Sequence, residues 1–322
     1  MVVVDAPFEI GVGTFCIPTD YPEVADAPLW IHLLRDPSGA SALIDCGVPS
    51  TFDRVLAKAL PLIGVEPDEI TWIVLTHGHP DHMGGHPGLR GHAPFKVAAP
   101  LEDVIWVESI ARQWHDFWDC FPGVFSLEEQ REAIIEMCGG DLVVDRILRD
   151  GDVFELGERR LEVVRTRGHT RGHCALFERE TGLLFCGDDV QGHGTPASSG
   201  TNVFAPLYDD VDDYLEGLER LRDLPFTMLC PAHHLPLDRA AGLELIERSI
   251  AFVNDVDRIV RDLAPSEGAP LTTVQVATAV GELCGTNPPV SIQTVYTALA
   301  HLNRAARAGL VTPQWAPRRT AA

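Results

Sequence analysis

The sequence predicts an α/β fold, and three observations carry that reading. Residues 28–75 run strand, strand, helix, strand, as apolar stretches of strand and helix length separated by strong turn signals. From Asp152 the period returns to short strands, in runs at 153–156, 161–164, 174–178, 183–186 and 226–230. The stretch Thr76-His77-Gly78-His79-Pro80-Asp81-His82-Met83-Gly84-Gly85 directly follows the apolar run Ile70 to Leu75. That puts reactive side chains at the C-terminal end of a strand, where α/β folds place their sites.

Taken in order, Leu29-Trp30-Ile31-His32-Leu33-Leu34 and Ala42-Leu43-Ile44-Asp45 flank the turn Asp36-Pro37-Ser38-Gly39 and read as a hairpin. Ser50 is placed to cap a helix bearing Phe52, Val55, Leu56, Ala59 and Leu60 on one face, and Gly64 ends it. Phe95 to Ala99 is a short strand. Leu101 to Trp118 reads as one helix, with Trp106, Ile110, Trp114 and Phe117 recurring every three or four residues. Ser126 to Cys138 reads as a second, opened by a capping box of Ser126 with Glu129. Such an aromatic stripe suits a core-facing helix. The sharper alternative makes residues 101–140 a lid, a helical insertion whose aromatics wall an apolar substrate pocket; Trp114 and Trp118 are candidates for that wall, and Trp118 and Met137 suit either reading.

Further on, Asp212 to Leu221 and Asp238 to Leu263 are helical. The linker Ala264-Pro265-Ser266-Glu267-Gly268-Ala269-Pro270 then separates a large unit, 1–263, from a small one, 271–322. In the small unit Thr272 to Leu283 and Ser291 to Ala308 flank Pro288-Pro289, a helix-turn-helix or winged-helix pattern.

The 322 residues, 45% hydrophobic and 22% charged, are enough for a proper core. A net charge of −22 opposes general binding to nucleic acid or anionic membrane. Residues 271–322 differ, with four arginines against Glu282 alone. No apolar run is long enough for a membrane span, and no signal peptide is evident. Eight cysteines without C-x-x-C spacing suggest reduced thiols and a cytoplasmic protein.

Four metal-ligand side chains, His77, His79, Asp81 and His82, fall within six residues. Burying unpaired imidazoles and a carboxylate is costly, and a divalent cation recovers that cost. Other candidates stand at later strand ends: His169 and His173 in one turn, Asp188 after Phe185-Cys186-Gly187, and His233 and His234 after Pro231-Ala232.

This order of motifs resembles the metallo-β-lactamase superfamily over roughly residues 28–235. The resemblance implies a four-layer αββα sandwich, two central sheets with helices outside, here with a small helical C-terminal domain. Carried over residue by residue, His77, His79 and His169 would hold one zinc. Asp81, His82 and His233 would hold a second, with Asp188 bridging the pair and Asp81 also orienting the attacking water. Iron and manganese suit the same ligands. The resemblance makes Asp45 and His173 outer supports. It favours His233 over His234, because the family's ligand falls two residues after the proline; His234, replacing a glycine, would face the pocket. His193 reads as an exposed histidine, with donation to an oxyanion as the sharper alternative. His86 and His92 read as solvated loop residues.

A centre of this kind brings the pKa of bound water near 7 and directs it at carbonyl or phosphorus. The expected function is hydrolysis of a carboxylic thioester, ester or lactone by hydroxide held between two divalent metals. Asp81 and Asp188 are its catalytic carboxylates. The alternative is a ribonuclease or other phosphodiesterase of the same superfamily, some of which carry a similar C-terminal extension. The tail's charge supports that weakly and the acidity of the rest opposes it. A non-catalytic nucleic-acid-binding regulator has no use for seven ligands. A β-lactamase proper is disfavoured by the missing export signal, and a flavodiiron role by His79, where that signature has glutamate. The expected partner is a small acyl or lactone substrate, with no membrane; a homodimer stays open.

Overall fold

The computed structural model describes residues 6–21, 27–121, 123–197, 200–264 and 271–311. The linker at 265–270 and the segment 312–322, with Arg318 and Arg319, lie outside the described residues. One sheet has seven strands in sequence order: β1 (Phe8–Gly11), β2 (Thr14–Tyr21), β3 (Ala27–Arg35), β4 (Ser41–Ile44), β5 (Ile70–Val74), β6 (Lys96–Pro100) and β7 (Arg146–Leu148). The first four pair antiparallel, and β4 through β7 run parallel. Then come β8 (Val153–Leu156), β9 (Arg159–Arg165), β10 (Cys174–Glu178) and β11 (Leu183–Gly187). A small ribbon, β12 (Thr195–Pro196) with β13 (Asn202–Phe204), precedes β14 (Met228–Pro231) and β15 (Leu237–Asp238). The second large sheet has the order β15-β14-β11-β10-β9-β8. The strands β1 and β2 were not foreseen from sequence.

The helices are α1 (Ala57–Leu62), α2 (Pro80–Met83), α3 (His86–Arg90), α4 (Val104–Val107), α5 (Ile110–Gln113), α6 (Arg131–Met137), α7 (Val211–Asp223), α8 (Arg239–Leu263), α9 (Thr273–Cys284) and α10 (Ile292–Arg307).

Alternation along the strands explains the layers. Leu34, Ala42, Ile44 and Val74 meet Cys174, Leu176, Leu183 and Phe185 between the sheets. Their neighbours Leu33, Leu43 and Ile73 face Phe52, Leu56 and Leu60 on the outside of the first sheet. Ala175, Phe177, Leu184 and Cys186 face α7, α8, α9 and α10 on the outside of the second. Strands covered on both faces read as continuous apolar runs, which is why β10 and β11 were visible in the sequence. The result is the αββα sandwich. Both C-terminal helices share the outer core of the second sheet, through Val276, Val280, Val295 and Leu299.

Three local expectations are corrected. Residues 101–118 do not form one helix: α4 ends at Val107, and Ser109 turns extended and accepts from the amide of Arg112 to start α5. A wider turn over Trp114–Trp118 follows. Ser50 caps nothing; the helical turn at Phe52–Leu56 opens after Thr51, whose hydroxyl instead accepts from the Val48 amide. Ser126 accepts from the Glu128 amide, and α6 begins only at Arg131, so the Ser126–Glu129 box does not form.

Two polar groups lie between the sheets. Arg159 on β9 forms a two-pronged pair with Glu178 on β10, at 2.7 and 2.6 Å, and also donates to Thr14 Oγ1 and the Gly13 carbonyl of the first sheet. His32 on β3 is buried, edge-on to Phe185 at 5.1 Å, and its Nε2 has no hydrogen-bond partner. Burial pushes its pKa from 6.5 down to about 3. In that window the unfolded chain binds the extra proton, so stability falls as pH falls, by at most about 1.4 kcal/mol per unit. Replacing His32 with leucine is expected to flatten that slope in urea unfolding curves recorded between neutral pH and about pH 4. An unchanged slope would refute the assignment.

Candidate metal centre

The centre is built where the C-terminal ends of β5, β9, β11 and β14 approach one another. After β5, Thr76 donates its amide and its hydroxyl to the two oxygens of Asp45, each at 2.9 Å. Asp45 sits at φ +58°, a left-handed conformation costly for a side-chain-bearing residue, and its Oδ2 also lies 2.8 Å from His82 Nδ1. Pro80 opens α2 at the helical position where its missing N–H costs nothing, and the turn carries Asp81 and His82 inward. Gly85 is needed for close approach, since a Cβ there would lie 1.9 Å from the Cys46 carbonyl.

Three imidazoles converge first. His77 Nε2 and His169 Nε2 each lie 3.0 Å from His79 Nδ1. Beside them, His233 Nε2 lies 3.4 Å from Asp81 Oδ2, with His82 Nε2 at 3.8 Å from the same oxygen. Asp188 joins the two groups. Its Oδ2 is 3.5 Å from His169 and 3.3 Å from His233, and its Oδ1 is 3.3 Å from His82.

Every outer ring nitrogen but one has a holder. Thr76 holds His77 at 3.0 Å, Asp45 holds His82, the Leu207 carbonyl holds His169 at 2.9 Å, and the Pro28 carbonyl holds His233 at 2.7 Å. This fixes which nitrogen points inward. His82 Nε2 and Asp188 Oδ1 are buried without a hydrogen-bond partner, as expected of atoms meant for a cation. The donors fit two divalent metals: three neutral nitrogens on one side, and an oxygen and two nitrogens on the other, with Asp188 between.

Electrostatics agree with that division. Burial and the neighbouring imidazoles hold His77 far below its ordinary value, and burial takes His79 down to about 4 and His169 well below normal. These rings are neutral and ready to donate lone pairs. On the other side burial works against charge at His82 and His233, but Asp188 and its fellow carboxylates outweigh it, raising His82 well above normal and His233 to about 10. Burial would likewise raise Asp188, yet His233 and His82 hold it well below the carboxylate range. The carboxylates of this half therefore favour positive charge, as protons or as metal.

Around these lie residues that spacing alone did not disclose. Asp103, fully buried at the entrance to α4, accepts from the Gly78 amide at 2.9 Å, the Thr170 hydroxyl at 2.7 Å and the Gly172 amide at 2.9 Å. It staples the His77–His79 loop to the His169 loop. Replacing Asp103 with alanine is expected to weaken metal binding about 10–100-fold, the usual cost of losing an outer support, in a chelator competition. Gln191 bonds the Asp188 carbonyl and receives the Leu207 amide. His173 pairs with Asp189 at 2.8 Å and accepts from the Asp188 amide at 3.1 Å.

The cluster opens into a cavity of about 290 Å³ whose walls are mainly apolar, with Phe117, Trp118, Leu127, Ile134, Met137, Phe204, Leu207 and Ile292 facing it. Gln130, on an exposed turn before α6, and Gln293 on α10 add neutral amides. Of the aromatics in this region, Phe117 and Trp118 line the cavity while Trp106 is core.

Several residues stand elsewhere. Trp114 packs behind the wall, against Val48, Ile134 and Met137, because the wider turn aims it away from the cavity. His234 is half-buried and outside the cavity, its pKa lowered to about 4 by burial. His193 lies 3.7 Å from Asp255 of α8 and edge-on to Phe252, so α8 draws it away from the site. His86 is not solvated: it is buried, with Nε2 3.2 Å from the Gly140 carbonyl. His92 is exposed but stacks on Phe52 at 4.4 Å.

A family model described as the metallo-beta-lactamase superfamily matches residues 28–233. Among curated proteins, the chain is 29% identical over 229 residues to the acyl-coenzyme A thioesterase MBLAC2 of Gallus gallus, covering 67% of this chain and 74% of that one. It is 27% identical to a hydroxyacylglutathione hydrolase of Methylococcus capsulatus over 80% of this chain and 81% of the relative. The match to the beta-lactamase-like protein 2 homolog of Caenorhabditis elegans, 22% identical over 68% of this chain, spans 61% of that protein. Among solved structures, a metallo-beta-lactamase family protein of Thermus thermophilus superposes with a TM-score of 0.68 at 23% identity, covering 94% of this chain and 95% of that one. A beta-lactamase domain protein of Burkholderia ambifaria gives 0.70 at 22% identity, covering 94% and 89%.

Proposed function

The chain belongs to the metallo-β-lactamase superfamily, and from that premise we propose that it hydrolyses a carboxylic thioester, ester or lactone with two divalent metals, zinc foremost. His77, His79 and His169 would hold one cation, and Asp81, His82 and His233 the other, with Asp188 shared. The observation that carries the substrate class is the cavity wall: among the described residues lining it there is no lysine or arginine. A phosphodiester substrate needs such cations along its backbone. An acyl chain needs the apolar surface that Phe117, Trp118, Ile134 and Met137 provide.

The similarity to an acyl-coenzyme A thioesterase and to hydroxyacylglutathione hydrolases, thioester enzymes by name, supports the same class. The described cations of the C-terminal helices are also spent within the protein. Arg304 pairs with Asp257 and Asp212, and Arg307 with Asp210 and Asp212. That speaks against a nucleic-acid role for this face.

When bound, two such cations supply Lewis acidity, activating water and polarising the acyl carbonyl. The chain's own residues do the rest. Asp81 faces the cavity and would orient the attacking water and receive its proton. The apolar wall holds the acyl group and keeps bulk water away, which strengthens the charges below it. Eight cysteines, all free, fit a reducing cytoplasm, and among the described residues no helix is long and apolar enough to cross a membrane.

Metal-loaded protein assayed in parallel on acyl thioesters, lactones and single-stranded RNA, with His77→Ala as control, tests the proposal. Turnover of thioester or lactone that disappears in the control is the expected result. Turnover of RNA alone would overturn it.

A further inference from the structure

The holder of His169 differs from the others. Thr76, Asp45 and Pro28 belong to the first sheet or its margins, whereas Leu207 lies in the stretch 205–208, which has neither helix nor strand. That stretch is fastened from the C-terminal helix. Thr297 Oγ1 of α10 donates to the Pro206 carbonyl at 2.6 Å, and the Tyr208 hydroxyl shares a 2.8 Å hydrogen bond with His301 Nε2. His301 is braced in turn by Asp257 of α8 at 2.7 Å. Tyr208, Thr297 and His301 are fully buried, so these bonds do not compete with water.

The same helix stands behind a second imidazole. Tyr296 stacks on Phe117 with ring centroids 4.6 Å apart and donates its hydroxyl to the Phe117 carbonyl at 2.9 Å. The Phe117 ring then lies 4.6 Å from that of His79. His82 and His233, by contrast, take their outer bonds from Asp45 and Pro28, outside both α10 and the 205–208 stretch.

We propose that α10 is a positioning device for one metal of the pair: Thr297 and His301 hold the 205–208 stretch so that the Leu207 carbonyl fixes His169, while Tyr296 backs His79 through Phe117. The C-terminal helix thereby acts first on the three-imidazole site and reaches the Asp81–His82–His233 site only through the shared Asp188, by way of Gln191. The proposal rests on the two-metal reading above.

The test is cobalt(II) titration of the full chain, followed by absorbance, for wild type, Thr297→Val and Tyr208→Phe, with His77→Ala identifying the signal of the three-imidazole site. Both near-isosteric variants are expected to weaken that site about 10–100-fold and the other site less. Val280→Ala, a buried change in α9 at a side chain that makes none of these hydrogen bonds, is expected to lower the melting temperature and leave the cobalt spectrum alone. Wild-type affinity at both sites in Thr297→Val and Tyr208→Phe would overturn the proposal. So would equal weakening in Val280→Ala, which would reduce α10 to a stabilising role. Wild-type protein that takes up no cobalt would overturn the two-metal reading itself, and this inference with it.

Discussion

Asp188→Ala is expected to be the most damaging single change to activity, lowering kcat/KM by more than the roughly 100-fold that marks loss of an outer support. Among the described residues Asp188 is the carboxylate that reaches both ligand groups, lying within 3.5 Å of His169, His82 and His233. Its removal takes away a shared negative charge, so the metal content of purified protein is expected to fall below that of wild type. Asp188→Asn keeps the shape and loses the charge, and should recover little. Elemental analysis beside steady-state rates checks both points, and a variant with full metal content and near-normal turnover would remove Asp188 from the centre.

The largest expected loss of stability comes from Arg159→Ala, far from the metals. Arg159 and Glu178 are both buried, and the guanidinium also ties β9 to Thr14 and Gly13 in the other sheet. Removing one partner leaves the carboxylate of Glu178, among the described residues, with the Thr181 hydroxyl at 2.6 Å. An uncompensated buried charge of this kind costs about 3–5 kcal/mol. Replacing both residues, as Arg159→Met with Glu178→Leu, should restore most of that loss, because the pair repays its desolvation poorly. Urea unfolding of the single and double variants decides it; a double variant no better than the single would mean that the contacts to Gly13 and Thr14 carry the energy instead.

The parts of the centre that were legible in the sequence share one property: their signal is local. His77, His79, Asp81 and His82 announce themselves by spacing, β5 by its mostly apolar run, and β10 and β11 by the apolar runs of strands covered on both faces. Asp103 was invisible because its partners are 25, 67 and 69 residues away, and an isolated Asp after a strand has many ordinary readings. Trp114, within the periodic stripe, and Trp118, just past it, were both candidates for the pocket wall. Their different fates depend on the widened turn that follows α5, which periodicity does not encode. Ser50 and Ser126 illustrate the limit of capping rules: the helical turn opens one residue after Ser50, whose hydroxyl finds no partner among the described residues, and Ser126 takes the Glu128 amide ahead of α6. The C-terminal helices were found, but their engagement with the 205–208 stretch depends on contacts about 90 residues apart.

The first ligand group draws His77 and His79 from the end of β5 and His169 from the end of β9, one sheet each. A cation there is therefore a cross-link between the halves of the sandwich, as much as a reagent. Binding only to the folded chain, it should raise the unfolding free energy by about 2.7 kcal/mol at a hundredfold excess over its dissociation constant. Melting temperature should climb with free zinc and fall on chelation. In a cell, scarcity of metal would then shorten the lifetime of the protein as well as silence it, so that abundance itself becomes a readout of metal supply.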